Sequence, residues 1–205
     1  MHKNTKMIIL LSILSVGFIA FYMLYDLNPD IYFYQLPSRI KRILAIVLVA
    51  VAIAVSTVIF QTIVKNRILT PSIMGLDSVY TFIQTAIVFL AGVSSPLLLN
   101  SQYNYFLSMG VLVLFTLFVF KFLFKITNNN IFLLLLIGII LGTFFGNLST
   151  FMQILISPED FSILQGTLFG SFNAIDESLL GITGIIVVLM LILVFKDFHA
   201  LDVLS

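Results

Sequence analysis

Residues 43–64 read ILAIVLVAVAIAVSTVIFQTIV, an apolar run that carries no charge. Arg39, Lys41 and Arg42 stand before it, and Lys65 and Arg67 follow it. A bilayer core is about 30 Å thick and takes about 20 apolar residues of helix to cross. A Lys or Arg at the centre of such a helix costs about 2.5–3.5 kcal/mol, so cations collect at the ends. This stretch is therefore a membrane-spanning helix, and it sets the class of the whole chain. Composition agrees, since 60% of the 205 residues are hydrophobic and only 9% are charged. Soluble domains carry about 25% charged residues, and a surface this poor in charge would aggregate in water. The fold class is all-α, a polytopic transmembrane helix bundle, with residues 1–205 forming a single domain.

Five more spans flank this one. Residues 7–25 make the first. That run is longer than the apolar core of about 7–15 residues in a signal peptide, and no A-x-A-like cleavage site follows it, so it reads as a retained helix. Residues 26–38 form a connector, broken by Asp, Asn, Pro29 and Pro37, with Tyr32, Phe33 and Tyr34 placed as an interfacial aromatic belt. A polar turn over 65–77 leads to the third span, 78–97, which contains Gln84. A loop over 100–104 precedes the fourth span, 105–120, and Lys121 and Lys125 mark its exit. After a polar corner at 127–130 comes the fifth span, 131–156. Residues 161–170 form a helix too short to cross, 172–177 a turn, and 178–195 the sixth span.

Six spans put both termini on one side. With the N-terminus in the cytoplasm, Lys3, Lys6, Lys65, Arg67, Lys121, Lys125 and Lys196 fall inside, against Arg39, Lys41 and Arg42 outside. Cytoplasmic loops carry the excess of Lys and Arg, so this orientation is preferred. The external cluster runs against the bias. It has two readings: a headgroup anchor for the second helix, or a docking point for an acidic partner.

The side chains exclude several kinds of chemistry. Cysteine is absent, and His2 and His199 lie near opposite ends of the chain. No span holds His, Cys, Asp, Glu or Lys, so the bilayer contains no acid, base or nucleophile pair. An enzyme is not expected on that ground, and proton coupling is disfavoured because proton relays need intramembrane ionisable groups. No metal site or cofactor is expected. The net charge of +1 is scattered over short loops and gives nucleic acid nothing to bind.

Polar and small residues mark the candidate positions. Gly138, Gly142 and Gly146 make a doubled G-x-x-x-G on one helix face, a groove that a neighbouring backbone can enter. That face either lines a pathway or packs against the second helix. Asn147 and Gln153 face a polar vestibule or make interhelical hydrogen bonds worth about 0.6–2 kcal/mol. Asn128, Asn129 and Asn130 precede the fifth span, and Asn is a preferred helix N-cap.

A further pattern overlies these spans. Arg39 stands three residues before Arg42, and Arg42-Ile43-Leu44-Ala45 opens a helix of small residues. Gln61 lies near its end; Asn66, Pro71 and Met74-Gly75 follow in order. Leu136-Ile137-Gly138-Ile139-Ile140-Leu141-Gly142 comes later, and then LQGTLFGSF over 164–172. In this order and spacing the chain resembles the FecCD family, the permease subunits of bacterial ABC importers for iron-siderophores, haem and cobalamin. Asn66, Pro71 and Gly75 occupy the family's motif loop. Arg67 and Lys41 stand where the family has prolines, and Asp77 stands where small polar residues are usual. The likeness runs from about residue 38 onward.

The resemblance implies about ten spans per subunit, so that these six form an N-terminal part of a longer permease. It implies a second permease subunit, as homo- or heterodimer, cytoplasmic ATPase subunits, and an extracytoplasmic substrate-binding lipoprotein, all at a bacterial cell membrane. Arg39 and Arg42 would pair with acids on that lipoprotein, because the planar guanidinium fork binds carboxylates bidentately. Asn128 to Asn130 would help form a cytoplasmic gate. The substrate class leans to iron-siderophores of the catecholate type. The alternative is a secondary transporter, or another polytopic membrane protein, with no ATPase partner.

Overall fold

The computed structural model describes residues 2–27, 32–67, 69–126, 130–173 and 175–202. Its helices are α1 (His2–Leu24), α2 (Tyr32–Val64), α3 (Leu76–Ala91), α4 (Pro96–Leu99), α5 (Ser101–Ile126), α6 (Ile131–Leu155), α7 (Pro158–Leu168) and α8 (Glu177–Asp202). A 3-10 turn, Pro71–Met74, precedes α3. No strand occurs among the described residues.

Five helices, α1, α2, α5, α6 and α8, are long and apolar enough to cross a membrane. α1 is apolar on every side, and none of its residues 5–24 is buried. Such a helix needs an apolar solvent around it, which defines a membrane protein. The third expected span behaves differently. α3 has 16 residues, about 24 Å at 1.5 Å per residue, shorter than the bilayer core. Gly92, at φ 75°, ends it, and Pro96 begins the single turn α4. Residues 78–97 are therefore a short helix, a break and a single turn rather than one continuous helix. α3 is also well enclosed, with Val79, Ile83, Gln84, Thr85 and Val88 buried among α5, α6 and α7.

Other helix ends depart from the sequence reading for local reasons. α2 starts at Tyr32, inside the expected connector, and takes in Pro37. Pro37 lies in the second turn, so the missing N–H forfeits one hydrogen bond near the helix start. At its other end Lys65 turns left-handed, φ 50°, with its N–H on the Thr62 carbonyl (3.3 Å) and the Asn66 N–H on the Gln61 carbonyl (3.2 Å). These two bonds form a Schellman closure. α5 begins inside the expected loop because the Asn100 side chain accepts from the Gln102 and Tyr103 N–H groups at 3.0 and 3.3 Å. Ser157 caps α7 and Asp176 caps α8 in the same way.

The packed centre lies where the Met74 turn meets α6. Met74 and Leu134 are buried there, with Phe60, Val119, Leu135, Ile137 and Leu141 around them. Further along α6, Phe145 meets the rings of Phe82 and Phe115 at 5.1 and 5.2 Å. Side-chain contacts also fix which ends lie together. Arg39 of α2 reaches the end of α1, Lys41 pairs with Glu177 at the start of α8, and Gln102 of α5 donates to Ser178 at 3.1 Å. One end of the bundle thus collects the end of α1 and the starts of α2, α5 and α8.

Candidate functional site

At that end the basic cluster divides its work. The Arg39 guanidinium lies over the last turn of α1. Nη1 donates to the carbonyls of Tyr22 (2.8 Å), Met23 (3.2 Å) and Tyr25, and Nη2 donates to Asp26 (3.1 Å). Its carbon also sits 5.7 Å from the Tyr22 ring centroid, within cation–π range. Asp26 adopts a left-handed φ of 52°, which costs about 1–2 kcal/mol for a residue with a Cβ. Lys41 pairs with Glu177. Among the described residues Arg42 makes one long contact, 3.4 Å to the Tyr22 hydroxyl. It also lines a cleft of about 260 Å³ with Tyr34, Ser38, Phe172 and Asn173. Nearby, the Ser178 hydroxyl and the N–H groups of Leu179 and Ser178 hold the exposed Asp176 carboxyl below its ordinary 3.8.

The glycine face of α6 meets the motif loop, not α2. A Cβ on Gly142 would fall 2.7 Å from Gly75 Cα, and one on Gly75 would fall 2.3 Å from Gly142 Cα. Gly138 approaches Met74 Cα at 3.1 Å by the same measure, and Gly146 approaches Ser78 Oγ at 3.7 Å. Gly75 has φ 77°, the left-handed value that turns the 3-10 segment into α3. Pro71 opens that segment, and the Asn66 N–H closes α2. The structure thus brings Gly75 onto Gly138 and Gly142, which lie more than sixty residues further along the chain.

The polar residues separate. Gln153 of α6 donates to Thr85 of α3 at 3.1 Å, an interhelical bond. Asn147 is exposed. The Asn130 side chain caps α6, accepting from the Phe132 and Leu133 N–H groups at 3.1 and 3.3 Å. Asn128 and Asn129 lie outside the described residues. The sequence reading missed a buried network. Gln84, 3% exposed, donates to Asn104 (3.0 Å) and Ser108 (2.9 Å) of α5, and Ser108 donates to Asn104 (2.9 Å). The signal is present as amide and hydroxyl residues four apart, Asn104 and Ser108, at the head of a mostly apolar run. The sequence reading places Asn104 in the loop over 100–104, whereas it lies in α5.

Apolar spans, terminal charges and a glycine-tight core make this a polytopic helical membrane protein. The comparisons specify it. The FecCD transport family matches over residues 5–205, and the chain belongs to that family. It is 47% identical over 204 residues to the petrobactin import system permease protein YclO of Bacillus subtilis, covering 99% of this chain and 64% of that protein. It is 34% identical to the petrobactin import system permease protein FatC of Bacillus anthracis, covering 97% of this chain and 58% of that protein. The chain therefore spans about three-fifths of the length of these relatives. Among solved structures, a metal-chelate type ABC transporter in an inward-facing conformation superposes with a TM-score of 0.76. That match has 26% identity and covers 98% of this chain and 65% of the other.

Proposed function

We propose that this chain is part of the permease of a bacterial ABC importer that carries an iron-siderophore into the cytoplasm. The observation that carries the reading is the 47% identity, over nearly the whole chain, to a petrobactin import permease. Movement is by alternating access. The bundle supplies two packings of its helices, and ATPase subunits bound on the cytoplasmic side supply the energy. A second permease subunit completes the pathway. A substrate-binding lipoprotein docks outside, on the basic cluster at the start of α2. The polar contacts across α3, α5 and α6 are neutral, which suits passage of a large chelate better than coupling to protons.

Uptake of iron-loaded petrobactin tests the reading in proteoliposomes holding the complete transporter. Uptake should require ATP inside the compartment that holds the ATPase, and should persist when ionophores collapse proton and sodium gradients. Uptake that follows an ion gradient and ignores ATP would overturn it.

A further inference from the structure

We infer that the far end of α2 carries a site for an anionic phospholipid, whose phosphate lies between Lys65 and Arg67 and whose acyl chain lies along Val58. Val58, Gln61, Thr62 and Lys65 recur at three- and four-residue spacing, so they share one face of the helix. Arg67, past the helix end, is brought back onto that face. Lys65 turns left-handed, φ 50°, and the Gln61 side chain donates to the Arg67 carbonyl at 2.8 Å. These five residues line one cleft of about 450 Å³. The Thr62 hydroxyl donates to the Val58 carbonyl at 2.8 Å, so the two cations are what the cleft offers an anion.

Charge is the first observation that points to a lipid. Both cations are exposed, and among the described residues no carboxylate pairs with either. Attraction to the C-terminal dipole of α2 accounts for Lys65. It does not account for Arg67, which is held by its carbonyl over the same face from outside the helix. The family pattern has a proline at that position, so the loop folds without a guanidinium there. The change of polarity along the cleft is the second observation. Val58 is 55% exposed and lies about two turns before Lys65, or about 10 Å along the axis. α2 is long and apolar enough to cross a membrane, so that depth is hydrocarbon and the cations stand at its edge. A cleft that is cationic at the edge and apolar below matches both parts of a phospholipid. A carboxylate of a partner protein would match the cations and leave the apolar wall bare. The guanidinium fork takes two phosphate oxygens, and the Lys65 ammonium acts as a point charge beside it. The site goes beyond the transport reading and does not depend on what is carried.

The chain has no tryptophan, so one indole can report on the cleft. Ala54 is exposed one turn below Val58 on the same face, and Ala54→Trp puts the reporter beside the expected acyl chain without filling the cleft. The complete transporter is reconstituted in vesicles of phosphatidylcholine and phosphatidylglycerol, with one of the two lipids brominated in its chains. Bromine quenches the indole on contact, and the transporter without the substitution supplies the background. Phosphatidylglycerol should quench as though it bound about fivefold more tightly than phosphatidylcholine or better, because each cation near an anionic headgroup favours it. Lys65→Gln with Arg67→Gln should abolish the preference, and Arg67→Lys should keep most of it. Arg67→Pro keeps the carbonyl that Gln61 holds and should lose about half of the preference on the same count of cations; it is the readable variant if the double one fails to assemble. Equal quenching by the two lipids would overturn the site, and so would a preference that survives loss of both cations. Equal quenching together with loss of the ATPase subunits from the double variant would assign the cations to a protein partner instead.

Discussion

Gln84 shows how much one side chain settles in this molecule. It is buried on α3, and its amide hydrogen-bonds two groups of α5. Membrane interiors offer no water to replace such bonds, although measured interhelical hydrogen bonds average only about 0.6 kcal/mol. Leaving buried partners unpaired costs more, about 1–3 kcal/mol. Gln84→Leu leaves Asn104 and Ser108 their bond to each other but takes the acceptor from the Asn104 amide N–H, so the second effect decides. The variant should lose about 1–2 kcal/mol of stability, read as a lower midpoint of thermal unfolding in detergent. The triple variant Gln84→Leu, Asn104→Leu, Ser108→Ala removes the unpaired group and should recover part of the loss. If the single and triple variants lose the same amount, the network contributes only volume.

At the scale of whole elements, α6 and the Gly75 turn approach so closely that a Cβ on Gly142 or Gly75 would meet the other's backbone. The three glycines of α6 look alike in sequence but meet different surroundings. Gly142 faces the backbone of Gly75, which cannot move aside; Gly138 faces both backbone and side chain of Met74; Gly146 faces the Ser78 hydroxyl at an ordinary distance. Alanine substitution should therefore give a graded series. Gly142→Ala should destabilise by about 1–3 kcal/mol, as overpacking does, and Gly138→Ala by less. Gly146→Ala should be neutral, or stabilising by about 0.5–1 kcal/mol, because Gly is a poor residue inside a helix. The same melting measurement ranks them. Equal effects at all three sites would mean that helix propensity, not the close approach, governs this face.

For the molecule as a whole, the shared end built from α1, α2, α5 and α8 decides orientation. It carries Arg39, Lys41 and Arg42, and Asn173 lies exposed near it. Lys65 and Arg67 follow the other end of α2. Since the chain has no cysteine, one introduced thiol reports its own side. Asn173→Cys should react with a membrane-impermeant maleimide on intact cells, and Arg67→Cys only after permeabilisation. The reverse pattern would place the basic cluster inside and overturn the docking proposed for it.

The sequence by itself determined that the chain is a helical membrane protein, and where most of its helices lie, because burying charge in lipid costs too much to be hidden anywhere but at the ends. It also marked the glycines and the motif loop, since their order along the chain is a local property. It could not show that Gly75 seats on Gly142, that Gln84 reaches Asn104, or that Arg39 turns onto α1. Those depend on which distant segments come within contact distance. The short α3 was hidden for the same reason: a helix enclosed by other helices need not be long enough to meet lipid at both ends, and only packing reveals that it is enclosed.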